Sequence, residues 1–175
     1  MRSSAASDVY KRQGTVNVSG TNFQNNNGGE NGGVIQNNGG TITVNAGASF
    51  TNNSAVNNGG AIYNTGVMNL SSSDMGDIVF NNNTANRGAD IFQISTGVTN
   101  ITGDSGSVII SSGVAGEGKI NKSGNGTLVL NGDNSDYTGT FTQTAGKTTV
   151  NDGAEFFNGE TAVSGGTLES VSYTH

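Results

Sequence analysis

Short groups of β-branched and aromatic residues alternate with groups of Gly, Asn, Thr and Ser along most of this chain. The apolar groups are four to five residues long, as at 41–44 and 127–130. No stretch of ten residues shows the 3.6-residue apolar period of an amphipathic helix. The pattern therefore predicts many short strands and essentially no helix.

A unit of three parts recurs three times in the first 110 residues. It begins with Phe-x-x-Asn, continues with a glycine pair before a short apolar strand, and ends with a second strand after another glycine. Its phenylalanines are 27 and 30 residues apart. The repeat residues are Phe23, Asn26, Gly32, Gly33 and Ile35, then Phe50, Asn53, Gly59, Gly60 and Ile62, then Phe80, Asn83, Gly88 and Ile91. In the third copy, Arg87 is taken to replace the first glycine and Asp90 to be inserted before Ile91.

Each unit is too short and too polar to bury a core alone, so it must stack on copies of itself. This predicts an all-β fold, a right-handed parallel β-helix of roughly five to seven coils, given strand layers about 4.8 Å apart. The phenylalanines should form an internal column, and asparagine amides should hydrogen-bond from coil to coil. Glycines should occupy the tight corners, where a Cβ does not fit.

The pattern changes after Ile110. Strands of four to five residues then alternate with Gly, Asn and Asp turns, without the phenylalanine repeat. We therefore divide the chain into 14–110, with the first repeat style, and 111–169, with the second. Gly113, Gly116 and Gly118 form a loose cluster that we interpret as a linker between the two styles.

Both termini resemble translated sequencing adapter. Ser3 to Gln13 (SSAASDVYKRQ) and Val171 to His175 (VSYTH) match the two orientations of one adapter sequence. Residues 1–13 and 170–175 are therefore set aside from fold reasoning. We expect 14–169 to be natural sequence and a fragment of a longer protein.

Composition narrows the function classes. The chain is 31% hydrophobic and 11% charged, with a net charge of −6, which opposes binding to nucleic acid or anionic lipid. It has no cysteine, so disulfides and thiolate metal sites are impossible. No apolar run reaches 18 residues, so we expect no membrane insertion by this segment. We also expect no cofactor and no metal.

Two motifs resemble autotransporter sequences. Phe50 to Asn53 with Gly59 to Ile62 resembles the repeats of chlamydial-type polymorphic outer membrane proteins. The segment 123–132, with 137–139 and 146–150, is similar to the passenger-associated transport repeat. Together these resemblances cover 23–168. They imply a secreted or surface-displayed β-helical passenger that serves as an adhesin or stalk, contacts a host or cell-surface protein or glycan, and has its outer-membrane β-barrel elsewhere in the full-length chain.

The segment Gly103 to Gly106 matches the nucleophile motif of chymotrypsin-like proteases. A serine nucleophile needs a base to take its proton. The single histidine, His175, lies in the adapter-like terminus. Ser105 is therefore interpreted as part of a structural turn.

Paired acids are the candidates for an alternative function. Asp74 with Asp77, or Asp133 with Asp136, could serve as acid and base of a polysaccharide lyase or hydrolase on the same scaffold. A lyase also needs a cation to stabilise developing negative charge. Convergence of Asp74, Asp77 and Lys119 on one face would favour the enzyme over the non-catalytic passenger.

Two further loops carry weaker signals. The oxygen-rich loop 131–136 could bind calcium through Asp133 and Asp136, although it lacks the length of an EF-hand. Arg87 to Asp90 is interpreted as a turn.

Overall fold

The computed structural model describes residues 10–12 and 14–172, which form strands and turns with no helix among them. The strands lie in three parallel sheets, named A, B and C here. Sheet A contains β1 (Tyr10–Arg12), β4 (Ile35–Asn37), β7 (Ile62–Asn64), β10 (Ile91–Gln93) and β13 (Val114–Gly116). Sheet B contains β2 (Thr15–Val18), β5 (Thr41–Asn45), β8 (Val67–Ser71), β11 (Val98–Ile101), β14 (Lys119–Lys122), β16 (Thr140–Gln143) and β18 (Thr161–Val163). Sheet C contains β3 (Asn22–Gln24), β6 (Ser49–Thr51), β9 (Ile78–Asn81), β12 (Ser107–Ile110), β15 (Thr127–Leu130), β17 (Lys147–Val150) and β19 (Thr167–Ser170).

The chain runs from sheet A to sheet B to sheet C and then returns to sheet A one layer further along. Every pairing between these strands is parallel and joins a strand to its counterpart in the next coil. This is the parallel β-helix that the repeat predicts. Sheets B and C each have seven layers within the described residues, in agreement with the predicted number of coils. The adapter-like residues 1–9, 13 and 173–175 lie outside the described residues.

The predicted phenylalanine column is confirmed. Phe23 pairs with Phe50 and Phe50 pairs with Phe80 in sheet C. Their ring centroids are 5.0 and 4.7 Å apart, and the rings are stacked. All three side chains are buried, so residues 27 to 30 positions apart do lie over one another.

Side chains alternate between the interior and the outer faces because successive residues of a strand point in opposite directions. In β5, Ile42 and Val44 are buried while their neighbours are half-buried. In β8, Met68 and Leu70 occupy the same interior positions. The interior is thus a continuous apolar column formed by one face of every sheet.

The sequence alignment of the third repeat was wrong by one position. Ile91 pairs with Ile62 and Arg87 pairs with Asn58, so Gly88 is the counterpart of Gly59. Ala89 then replaces the second glycine, and Asp90 occupies the position of an interior apolar residue with no insertion. The error arose because the sequence alone does not show whether this copy departs from the repeat at Arg87 or at Asp90.

The second glycine of the first two pairs lies where adjacent coils approach each other closely. A Cβ at Gly33 would lie 1.9 Å from the carbonyl oxygen of Gly60. A Cβ at Gly60 would lie 2.2 Å from the carbonyl oxygen of Ala89. Only glycine fits at these two corners without a shift of the backbone.

The coils become shorter after Ile110, while sheet A still contributes one more strand, β13. Phe80 pairs with Ile110, Ile110 pairs with Leu130, and Leu130 pairs with Val150. Asn131 and Asn151, which follow the last two of these residues, are only 20 positions apart. The interpretation of Gly113 to Gly118 as a linker was wrong, because β13 lies inside this segment and pairs with β10. In the next layer sheet A is reduced to a single bridge, Gly116 to Tyr137. Each later coil therefore has two strands instead of three.

Candidate functional site

Asparagines at the corner between sheets C and A bind one another from coil to coil. Asn26 Nδ2 donates to Asn53 Oδ1 (2.8 Å), and Asn53 Nδ2 donates to Asn83 Oδ1 (3.0 Å). Each acceptor oxygen also receives the backbone N–H of the preceding asparagine (3.0 and 2.9 Å). Asn53 and Asn83 are buried. The predicted asparagine ladder is confirmed and has a structural role.

Asp90 terminates this ladder. Asn83 Nδ2 donates to Asp90 Oδ1 (2.7 Å), and the backbone N–H groups of Ser112 and Gly113 donate to Asp90 Oδ2 (2.6 and 3.3 Å). Gly113 lies three residues after Ile110, where another asparagine would continue the ladder. Burial raises the pKa of Asp90, and these hydrogen bonds oppose the rise. Sequence analysis missed this role, because it treated Arg87 to Asp90 as a turn.

A second buried network lies at the corner between sheets A and B. Asn37 Nδ2 donates to Asn64 Oδ1 (2.7 Å), and Gln93 takes the equivalent position one coil later. Gln93 Nε2 donates to the Tyr137 hydroxyl oxygen (3.2 Å), and its Oε1 accepts from the Thr99 hydroxyl (2.7 Å). Burial raises the pKa of Tyr137 to about 12.

Lys122 lies in the interior at the corner between sheets B and C. It is 1% exposed and occupies the position held by Ile101 in the preceding coil. Its Nζ donates to the carbonyl oxygens of Gly124 and Ala145, the latter at 3.3 Å. Burial lowers the pKa of this amine. In the next coil Gln143 occupies the position and donates to turn carbonyls in the same way.

These three corners use the interior polar groups to join coils. Among the described residues, no buried side-chain nitrogen or oxygen lacks a hydrogen-bond partner. A buried polar group without a partner would cost about 1–3 kcal/mol. The interior polar groups of the described residues are therefore used to hold the coils together.

The candidate acids Asp74 and Asp77 do not meet Lys119. Both acids follow the end of β8, whereas Lys119 lies at the start of β14, level with Val67 at the start of β8. The length of β8 separates the two ends by about 13 Å. Asp77 Oδ1 accepts the backbone N–H of Ser107 (2.7 Å), which joins two turns.

The loop 131–136 folds as a turn around Asp133. Its Oδ1 accepts from the backbone N–H and the hydroxyl of Ser135 (2.9 and 2.6 Å), and these bonds lower the pKa of Asp133. Asp136 is exposed. Across the part of the chain that the structure describes, no group of three His, Cys, Asp or Glu side chains could hold a metal ion.

The protease-like segment also lies in a turn. Residues 103–106 connect β11 to β12, and Gly106 has a φ of 66°. Asp104 is exposed and Ser105 is half-buried.

The outer face of sheet A carries a site that sequence analysis missed. Tyr63 and Phe92 are paired in adjacent strands and stack with centroids 5.7 Å apart and an interplanar angle of 4°. The Arg87 guanidinium lies 4.9 Å from the Phe92 ring centroid. A cavity of about 170 Å³ adjoins them, lined by Arg87, Phe92, Gln93, Ile94, Ser95, Gly116 and Glu117. The signal was present in the sequence, since both rings directly follow the repeat isoleucines Ile62 and Ile91.

A larger cavity of about 320 Å³ lies beside β19, the last strand in the described residues. Its lining includes the core side chain Val150 together with Phe156 and Leu168. Leu168 is 37% exposed there. This cavity opens onto the apolar interior of the last coil.

Comparison with protein-family models, curated proteins and solved structures gives no match. No helix in the described residues is long and apolar enough to cross a membrane.

Proposed function

We propose that this chain is a non-catalytic, surface-exposed β-helical passenger segment of an autotransporter-like protein, acting as an adhesin or as a structural stalk. The observation that carries the proposal is the coil-to-coil use of the interior polar groups. Asn53, Asp90 and Lys122 each bind groups of a neighbouring coil. Such an interior makes a rod, and a rod offers its outer faces for contact.

The resemblance of 123–150 and of the Phe and Gly-Gly repeat to passenger sequences supports the same function. The absence of cysteine suits a chain that crosses a membrane before it folds, because no disulfide can form beforehand. The alternative, a carbohydrate lyase or hydrolase, requires acids and a cation on one face. The separation of Asp74 and Asp77 from Lys119 along sheet B argues against it.

The test is surface display of the full chain, joined to the translocator domain of a laboratory autotransporter and carrying an epitope tag. We expect antibody to label intact cells and added protease to remove the label. Retention of the folded chain inside the cell would contradict the proposal.

A second measurement addresses catalysis. The purified chain is incubated with uronic-acid and neutral polysaccharides, and new reducing ends and unsaturated products are measured. We expect neither. Turnover that Asp74→Asn or Asp133→Asn abolishes would replace the passenger function with the enzymatic one.

A further inference from the structure

The aromatic column on the outer face of sheet A stops at one layer. Gln36, Tyr63, Phe92 and Ala115 are aligned in successive strands. Tyr63 stacks on one side of Phe92, and the layer on the other side presents only the methyl group of Ala115. The cavity lies between these two layers, because its lining comes from Phe92 in one and from Gly116 and Glu117 in the next.

Two opposite charges border this cavity. Arg87 and Glu117 both line it, and Ser95 adds an exposed hydroxyl. Within residues 14–172, neither charged side chain forms an ion pair. The contact of the Arg87 guanidinium with Phe92 places the cation directly against the aromatic ring. Phe92 is 7% exposed, so a ligand here contacts a small part of its ring, beside the Arg87 guanidinium as donor and the Glu117 carboxylate as acceptor.

We propose that this cavity binds a ring of a neutral saccharide. A pyranose ring has C–H groups that pack against an aromatic side chain, and hydroxyls that accept from a guanidinium and donate to a carboxylate. A purely apolar ring would desolvate Arg87 and Glu117 without giving either a partner, which is costly. This inference rests on the proposed adhesin function and names the class of its ligand.

Other ligands fit the site less well. The net charge of −6 repels anionic ligands. A protein partner needs about 800 Å² of surface on each side, with few charges at the centre of the contact. This site instead offers a cavity of about 170 Å³ between two charged side chains.

The first test measures binding to oligosaccharides by saturation-transfer NMR. The probes are glucose-, galactose-, mannose- and N-acetylglucosamine-based tetrasaccharides, with sialyllactose as the charged comparison. We expect at least one neutral probe to bind more tightly than sialyllactose. Failure of every neutral probe, or tighter binding of sialyllactose, would overturn the inference.

A blocking variant shows whether the cavity is the site. Ser95 is exposed in the turn after β10 and lines the cavity, so Ser95→Trp introduces a large side chain there without altering the core. Asn38→Trp is the matched control, since Asn38 is exposed in the corresponding turn after β4. We expect Ser95→Trp to weaken binding at least tenfold and Asn38→Trp to leave it unchanged. Equal binding by both variants would place the sugar elsewhere and refute the proposal.

The role of the cation is tested in the same way. Arg87→Ala removes the guanidinium over Phe92, whereas Lys119→Ala removes an exposed cation that does not line the cavity. We expect at least a tenfold loss for Arg87→Ala only. Circular dichroism and thermal melting confirm that each variant is folded.

Failure of this inference is distinguishable from failure of the passenger function. If Ser95→Trp is displayed on cells like the wild type and no neutral sugar binds either protein, the passenger function stands and the saccharide site is wrong. If the purified chain binds sugar through this cavity but is not displayed, the saccharide site stands and the passenger function is wrong.

Discussion

The three-strand coils up to Gly116 and the two-strand coils beyond it fill their interiors differently. In the first region Phe50 lies between two parallel rings, with interplanar angles of 20° and 6°. In the second, Phe141 meets Phe156 at 89° and Phe157 at 52°. Identical side chains at equivalent positions of successive coils can stack. In the shorter coils, the contacting phenylalanines occupy positions that are not equivalent, so their rings meet at an angle. Regular repetition therefore produces columns, and irregular repetition produces clusters.

The corners differ in the same way. Three-strand coils place asparagine over asparagine, so each amide both donates and accepts. Beyond Gly116, Lys122 and then Gln143 occupy a corner, and each donates to a turn carbonyl. The first arrangement needs an identical neighbour, whereas the second needs only a carbonyl. We expect the first region to be more sensitive to single substitutions within its columns.

The largest effect is expected for Phe50→Ala. Removing the middle ring leaves a cavity bounded by Phe23 and Phe80, at a cost of about 3–5 kcal/mol. Solenoid coils are stabilised by their nearest neighbours, so hydrogen exchange should rise most in β3, β6 and β9 and least in β17. The exposed control Val56→Ala (66% exposed) should change stability by less than about 0.5 kcal/mol. A uniform rise in exchange over both regions would show that they are one cooperative unit.

Asn53→Ala tests how much the buried ladder contributes to stability. It removes the acceptor for the Asn26 amide and the donor for Asn83, and leaves buried groups unpaired at roughly 2–3 kcal/mol. Asn131→Ala is the control in the second region, because Asn131 accepts from Asn151 (2.6 Å) in an exposed asparagine pair. Its loss should cost less than about 0.5 kcal/mol by urea denaturation. Equal losses would show that burial does not decide how much such an asparagine pair contributes.

Gly60→Ala tests the register of the coils. Its new Cβ would meet the carbonyl oxygen of Ala89 at 2.2 Å, and such overpacking typically costs about 1–3 kcal/mol. Gly14→Ala is the matched control, with no atom within 4 Å of its Cβ. A stability change equal to that of the control, measured by thermal melting, would contradict the pairing of Gly60 with Ala89.

Sequence analysis predicts the fold and the first region well, because repetition identifies equivalent positions. Phe23, Phe50 and Phe80 are recognisable as one column from their spacing in the sequence alone. The prediction fails where a residue differs from its counterparts in the other coils. Asp90 substitutes for an apolar residue and Gly113 for an asparagine, and neither exchange can be aligned without knowing the register.

The candidate site was missed for a related reason. Tyr63 and Phe92 are visible in the repeat, but Glu117 reaches the same cavity from a coil of different length. No sequence period places it beside Arg87. The acids that the sequence does single out, such as Asp133, bind their own turns instead.

The smallest expected effect concerns Lys122 and depends on pH. Because burial lowers the pKa of Lys122 below its usual 10.5, the unfolded chain binds more protons than the folded protein between that lowered value and 10.5. The free energy of unfolding should therefore rise with pH through this interval, by at most about 1.4 kcal/mol per pH unit for one proton.

Lys122→Gln tests this expectation. It places at this corner the same residue type that occupies the equivalent position 143 in the next coil. Because glutamine does not titrate, the variant should lack the rise. Lys119→Gln, at an exposed position, should keep it. Urea denaturation of the three proteins at several alkaline pH values measures how the free energy of unfolding of each depends on pH. The contribution of the tyrosines is common to all three proteins and cancels when they are compared. A parallel rise in wild type and Lys122→Gln would mean that this corner does not bury a charged amine, and the two kinds of corner would then differ only in their hydrogen-bond pattern.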